Sequence, residues 1–465
     1  MDGQDLTQRL GAMLLGRFAR NNPLAASVRQ VLEQTVVPAQ LNALFAKHSE
    51  RQYTRKILFS SVVQVMLAVV SGRVDAPLAA MKRQGDALKA SFSAFYEKIA
   101  GTETDVSSAL VAHSFAQGRA LLVEMGGLRQ EPLPGWRLRI LDGNRIAASE
   151  RRLQPLWGVV AGPLPGLALV AFDVAAMMMS DVILCEDGHA SERSLVAEIL
   201  ALIVKGDCWI ADRNFCTYDI LFGVMKREAA FVIRQHGGMA GEPVGPRRAL
   251  GRCATGRLFE QSYKLRHGEE TRTVRRVTVV LDKPTRDDET ELHILSSLPP
   301  EVSAETIASL YNSRWTIESA FGDLSRWLDA ELKPLGYPRA ALLGFCVGLL
   351  AYNVVSTVLG ALRATHGEAF VREQVSGYYI AQFGREAVGG VVDATIEEEE
   401  WAAWRDLSVP AAAALLKETA ARISPALIRK SKRGPKTKTP KRTRYKNKTH
   451  VSTKKILEGT CVDDS

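Results

Sequence analysis

The sequence predicts an α/β protein: a mixed sheet flanked by helices, with a β-rich insertion and helical N- and C-terminal regions. Three observations carry this. Apolar residues recur at three- and four-residue spacing up to about residue 128, and the Pro132–Leu133–Pro134–Gly135 break follows them. The period then drops to two, and strand-like runs alternate with helical ones. Polar turns later separate three more strand candidates within one segment. At 465 residues and 46% hydrophobic, the chain exceeds what one core usually supports, about 250–300 residues, so two or three domains are expected.

The N-terminal helices show in stripes such as Val28–Val31–Leu32 and Leu41–Leu44–Phe45 and in the apolar run from Ile57 to Val70. After the break, Trp136, Leu138 and Ile140 alternate with Arg137, Arg139 and Leu141, predicting a first strand that ends at Asp142 on the face of Trp136, Leu138 and Ile140. Leu167–Phe172 and Asp181–Cys185 are the next two strands. Ser191–Lys205 is predicted helical from its Leu195–Ile199–Leu202–Ile203 stripe, with Ser191 as N-cap and Gly206 as the stop. A fourth strand, Cys208–Ala211, runs into Asp212. A helix, Tyr218–Lys226, and a fifth strand, Ala230–Gln235, follow. Between Gly237 and Leu298 the strand candidates are Leu258–Leu265, Arg272–Leu281 and Glu291–Ser297. Helix resumes from Ser303 to about Leu332 and again from Ala340 to about Leu427, with Glu397–Glu400 as a solvated helix start.

The formal net charge of +9 is unevenly spread: Arg429 to Lys455 holds thirteen Lys and Arg and no acid, which leaves the remainder slightly acidic. A basic tail on such a body points to a polyanionic partner, the alternative being a solvated solubility tail. Its Lys, Thr and Pro content predicts disorder without a partner. Six scattered cysteines with no Cys-x-x-Cys pair disfavour a disulfide framework or structural zinc and suit a reducing cytosol. No secretory signal is apparent at the N-terminus. Ala340–Leu362 is uncharged and long enough to span a membrane, but Asn353, Ser356 and Thr357 fit a buried helix better, so no membrane partner is expected.

Three strands, a helix, a fourth strand, a helix, a fifth strand and a later helix is the element order of an RNase H-like fold. There, acids at the end of the first strand, just after the fourth and on the late helix converge at one sheet edge. Asp142, Asp212 and Glu318 occupy those places. Two Mg²⁺ ions roughly 4 Å apart can hold the attacking and leaving oxygens of an in-line phosphoryl displacement, and Mg²⁺ takes a few hard carboxylate oxygens plus water and substrate phosphate. Taken alone each acid is weak evidence, since a carboxylate at a strand end usually caps a turn. On a helix Tyr311, Arg314, Glu318, Phe321 and Ser325 share one face, suiting a metal, a phosphate and a neighbouring base, or else a surface ion pair between Arg314 and Glu318.

Several motifs stand in order: Ile140-Leu141-Asp142-Gly143-Asn144, Cys185-Glu186-Asp187-Gly188-His189, Trp209-Ile210-Ala211-Asp212-Arg213-Asn214-Phe215, the word from Tyr311 to Phe321, and Leu335-Gly336-Tyr337-Pro338. Over approximately Gln52 to Asn353 the chain resembles the DDE transposases of bacterial insertion sequences, in the branch with a β-strand insertion between the second Asp and the Glu. That family's signature is Tyr, two residues, Arg, three residues, Glu, six residues, Lys. Tyr311, Arg314 and Glu318 match it, whereas Ser325 stands at the Lys position. Arg326 is the neighbouring cation, about 100° further round the helix.

The resemblance implies that Asp142, Asp212 and Glu318 are catalytic and ligate two Mg²⁺, with Mn²⁺ as a substitute. It implies cleavage at element ends and strand transfer into target DNA, without a covalent protein–DNA intermediate. The implied partners are double-stranded DNA, as terminal inverted repeats and target, and a second copy of the chain in a synaptic homodimer, in the bacterial cytoplasm at the nucleoid. Tyr311, Arg314 and Arg326 are expected on DNA. Arg213 and Asn214 either touch the DNA backbone or cap the following helix. His189 and Glu192 open a helix near the sheet edge and are candidates for a supporting role, His189 otherwise being a hydrogen-bonded turn residue. Trp209, Trp315 and Trp327 sit in apolar settings and read as core, the alternative being platforms for an extruded base.

The expected division is a helical domain at 1–128 for DNA-end binding, a catalytic domain at 129–236 and 299–338, the insertion at 237–298, a helical region at 339–428 and a basic tail at 429–465. The rival readings are a catalytically inactive, transposase-derived DNA-binding protein and a metal nuclease of the same fold.

Overall fold

A computed structural model describes residues 14–51, 57–84, 90–146, 153–158, 163–285, 288–328, 335–387, 400–431 and 451–459. Its centre is one nine-stranded mixed sheet. In chain order the strands of the described residues are β1 (Arg137–Arg145), β2 (Pro163–Leu164), β3 (Leu167–Asp173), β4 (Met178–Cys185), β5 (Asp207–Ala211), β6 (Ala230–Arg234), β7 (Glu242–Cys253), β8 (Gly256–His267), β9 (Glu270–Leu281), β10 (Glu291–Ser296) and β11 (Val451–Ser452), of which β2 and β11 pair only with each other, outside this sheet. The sheet order is β4-β3-β1-β5-β6-β10-β9-β8-β7. β1, β5 and β6 run parallel, while β3 and β4 pair antiparallel on one side and β10 to β7 on the other. Strands β1, β3, β4, β5 and β6 have the RNase H-like arrangement that the element order predicts.

Both faces are covered. Leu138, Ile140, Val170, Phe172, Ile210 and Val232 join one core with the N-terminal helices, Trp315–Trp327 and Pro338–His366. Leu141, Leu169, Ala171, Trp209, Phe231 and Ile233 join another with Ile199 of the helix Val196–Ala201 and Phe222 of the helix Tyr218–Lys226. The second face explains Arg139, which the alternation places on the polar side. It is buried at 3% exposure, paired with Asp181 at 2.5 Å and Ser180 at 2.6 Å, and its guanidinium lies 5.1 Å from the Trp209 ring centroid.

The strands of the insertion continue the central sheet. β10 pairs antiparallel with β6 and carries β9, β8 and β7 outward as an extension of the central sheet. β7, which the sequence pattern does not predict, is an exposed edge strand with two register irregularities. Pro243 and Pro246 are tolerated there because an edge strand needs only one side of its ladder.

The helix Pro338–His366 is long and apolar enough to cross a membrane, yet 94% of its most apolar window is buried inside the protein. Asn353, at 1% exposure, receives the Met179 N–H at Oδ1 (2.9 Å) and donates from Nδ2 to the Met179 carbonyl (2.8 Å) and Ser114 Oγ (2.9 Å). It thereby closes the exposed side of β4, the outermost strand of that edge.

Three other expectations change. The helix predicted for Ser191–Lys205 is a 3-10 turn, Glu192–Leu195, followed by a short α-helix, Val196–Ala201, although Ser191 does cap it by accepting the Arg193 N–H. The helix predicted from Ser303 is two, Ala304–Ser313 and Trp315–Trp327, meeting at Arg314, and residues 329–334 lie outside the described residues. In the tail predicted to be disordered, Val451–Ser452 pairs parallel with Pro163–Leu164, Thr453–Leu457 is helical, and Lys455 reaches Asp187 at 3.6 Å. Local composition carries no sign of this pairing, because the partner strand is far away in the chain. Residues 432–450 and 397–399 lie outside the described residues.

Candidate active site

β1 and β5 set the site. Their parallel register ends with Leu141 opposite Ala211, so Asp142 and Asp212 are the next residues on neighbouring strands, which lie about 4.8 Å apart. β1 itself does not end at Asp142 but continues to Arg145 against β3. Asp142 lies on the face of Leu138 and Ile140, where the helix Trp315–Trp327 packs through Ile317. That packing brings in the third acid. Arg314 Nη1 lies 2.7 Å from Glu318 Oε1 and 3.5 Å from Asp142 Oδ2, so one guanidinium nitrogen bridges the two carboxylates.

The electrostatics follow from burial. The Asp142 carboxyl, with 18% of its side chain exposed, is pushed up to about 7. Desolvation is the main cause, Asp212 and Glu318 add to it, and Arg314 opposes it. Burial works against the charge on Arg314, but Tyr311, Glu318 and Asp142 together hold its pKa above the ordinary value. Arg314 Nε is buried with no hydrogen-bond partner among the described residues. Burial raises the Tyr311 hydroxyl, and the Arg314 guanidinium lies 6.0 Å from the Tyr311 ring centroid.

Asp212 caps a 3-10 turn, Arg213–Phe215, its Oδ1 accepting the Asn214 N–H at 2.8 Å. Arg213 pairs with Glu289 at 3.3 Å, and Asn214 donates from Nδ2 to Glu192 Oε2 at 3.2 Å. Burial, then the nearby Asp212, raises the Glu192 carboxyl. Arg326, on the same helix as Glu318, bonds the Gly322 carbonyl at 2.9 Å and Asp323 at 2.6 Å; Ser325 donates back to the Phe321 carbonyl at 3.4 Å. The His189 N–H donates to Asp187 Oδ1 at 2.9 Å in a tight turn.

Asp142, Asp212, Glu318, Tyr311 and Arg314 are therefore brought together, with Glu192 and Asn214 beside them. Arg326 and Arg213 are each held by another acid. Trp209 is core, and Trp327 stacks on Tyr352 at 5.9 Å between centroids. Trp315 is 62% exposed, contrary to its reading as core: Ile317, Ala320 and Leu324 form the buried stripe of its helix, and Trp315 falls off that stripe. Glu192 is a candidate for a supporting role by its place near the sheet edge, but its contact with Gly143 has no local pattern to announce it. The signal for both is contact between segments that only folding joins.

Among the described residues no group of three His, Cys, Asp or Glu lies close enough together to hold a metal ion. The donor chemistry nonetheless fits one. Hard carboxylate oxygens gather at one edge, and Asp142 and Glu318 already share a cation, the Arg314 guanidinium.

Fold and site thus define an RNase H-like α/β protein with three acids drawn to one edge of its sheet. Residues 165–354 match the model of the family described as Transposase DDE domain. That stretch includes Asp212, Arg314 and Glu318 and begins after Asp142. Among solved structures, the chain is similar to a piggyBac transposase seen by cryo-EM in a synaptic complex with hairpin DNA. The identity is 11% and the TM-score 0.39, over 82% of this chain and 83% of the other. No curated protein matches.

Proposed function

We propose that this protein is a DDE transposase that cleaves DNA at the ends of an insertion sequence and joins the freed ends to target DNA. The observation that carries this reading is the register of β1 and β5, which sets Asp142 beside Asp212, together with the Arg314 bridge from Asp142 to Glu318. The family match over residues 165–354 supports it.

Asp142, Asp212 and Glu318 are the residues that would hold two Mg²⁺ ions, with Mn²⁺ as a substitute. When bound, such ions polarise the scissile phosphodiester and stabilise the attacking and leaving oxygens. The chain's own residues do the rest. Asp142 and Glu318 take part only when freed from their shared guanidinium. Arg314 then offers a planar donor set to a phosphate. Tyr311, buried beneath it, fixes the direction of that side chain. Trp315, exposed beside Arg314, provides a face for an unstacked base. Double-stranded DNA is the partner, and two copies of the chain act together on paired ends.

The test is cleavage of supercoiled DNA carrying the element's inverted repeats, with Mg²⁺ or Mn²⁺. Asp142→Asn, Asp212→Asn and Glu318→Gln are each expected to abolish cutting while leaving end binding in place. Near wild-type cutting by any of the three refutes the assignment. Absence of nicking by the native chain with either ion favours a DNA-binding relic, and cleavage without joining favours a nuclease.

A further inference from the structure

We propose that Glu192 is a positioning residue that braces the two acid-bearing strand ends from behind, an inference that rests on the reading just given. Glu192 opens the 3-10 turn Glu192–Leu195, between β4 and β5, and its carboxylate reaches β1 at Gly143 and, at Asn214, the turn that follows β5.

On the β1 side, a Cβ added to Gly143 would overlap Glu192 Oε1; the next nearest atoms are Glu192 Cδ at 3.0 Å and Leu169 Cδ2 at 3.3 Å. Gly143 follows Asp142, and successive residues of a strand point to opposite faces. Glu192 therefore occupies the back of the strand at the point where Asp142 points forward to Arg314. Only glycine leaves that room.

On the β5 side, Glu192 Oε2 accepts from Asn214 Nδ2 at 3.2 Å, and the Asn214 carbonyl accepts from Arg193 Nε at 2.9 Å. Two consecutive residues thus hold Asn214 by its side chain and its backbone. Asn214 in turn donates its N–H to Asp212 Oδ1 at 2.8 Å, which sets the direction of that carboxylate. The chain of contacts from Gly143 through Glu192 and Asn214 to Asp212 fixes the separation and aim of two acids on different strands. Its position behind β1 makes Glu192 a brace for the ligands, acting by hydrogen bonding and packing.

The distinction is testable on the full chain by calorimetric titration with Mn²⁺ alone, with thermal melting as the check on folding. Glu192→Ala should weaken Mn²⁺ binding about 10-fold or more, the range seen when partners of metal ligands are removed. Glu192→Gln should recover most of the loss, because its amide oxygen still accepts from Asn214. Gly143→Ala, which evicts the Glu192 side chain, should weaken binding as Glu192→Ala does. The double variant Gly143→Ala/Glu192→Ala should bind no worse than the poorer single, because the two act on one interaction.

Native affinity in Glu192→Ala overturns the proposal. So does Glu192→Gln binding as weakly as Glu192→Ala, because charge and not hydrogen bonding would then be what matters. Additive losses in the double variant also overturn it. If the native chain takes up no Mn²⁺, the metal reading itself fails and the brace falls with it. Native binding with unaffected variants sinks the brace alone.

Discussion

Replacing Asn353 by Leu tests how the outer edge of the sheet is held beneath the long central helix. Leu keeps the forked shape of the side chain, though bulkier, at a position 1% exposed but removes every hydrogen bond of the amide. The Ser114 hydroxyl retains its bond to the Val111 carbonyl at 2.8 Å, so it is not orphaned. The Met179 N–H and carbonyl, on the open side of β4, lose the partners they have at 2.9 and 2.8 Å. Each buried group left unsatisfied costs about 1–3 kcal/mol, so the substitution should destabilise by about 2–6 kcal/mol. Urea unfolding followed by tryptophan fluorescence reads this as a lower midpoint with little change in slope. Asn353→Asp should lose at least as much at neutral pH, since a carboxylate accepts the Met179 N–H but faces its carbonyl with a lone pair. A loss below about 1 kcal/mol in Asn353→Leu, with a native spectrum, would mean that the amide does not stand in for a strand at this edge.

Trp315→Ala should leave the melting temperature nearly unchanged, because the ring is 62% exposed, while weakening binding to DNA ends with unpaired tips by about 1–3 kcal/mol in a fluorescence titration; unchanged affinity rules out stacking there. His113 is held below its ordinary pKa of 6.5 by burial, opposed by its Nε2 contact with the Thr35 carbonyl at 2.9 Å. Its unfolded state therefore binds more protons just below pH 6.5, so its contribution to stability is complete above that pH and is lost as the pH falls. His113→Gln should flatten that part of the stability profile, and an unchanged slope between pH 7 and 5 counts against the assignment. Substituting the nine Lys and Arg between residues 432 and 450 by Gln, with 451–459 kept, should reduce the salt dependence of DNA binding. The log–log slope should become shallower by about 0.9 for each phosphate no longer neutralised, and an identical slope excludes this stretch from the DNA.

What the sequence by itself determined was local. The two-residue period from Trp136 to Ile140 gives β1 and points Asp142 to one face, and the run into Asp212 gives β5. Neighbours two residues apart share a face whatever lies beyond them. The spacing of Tyr311, Arg314 and Glu318 likewise predicts their proximity, and it survives the break at Arg314 because that residue keeps helical dihedrals, φ −51° and ψ −36°.

Only the tertiary structure decided the rest. β7 has almost no burial on either face to impose a pattern on Glu242–Cys253, so its place in the sheet comes from pairing with β8. Whether the insertion stands apart or extends the sheet depends on the free edge of β6, and the pairing of Val451–Ser452 with Pro163–Leu164 joins segments with no shared local signal. The burial of Arg139, the exposure of Trp315 and the seat of Glu192 on Gly143 belong with these. Periodicity reports which side of an element is apolar, but what covers that side, and which polar group meets which, is set by surfaces that meet only when distant parts of the chain have packed.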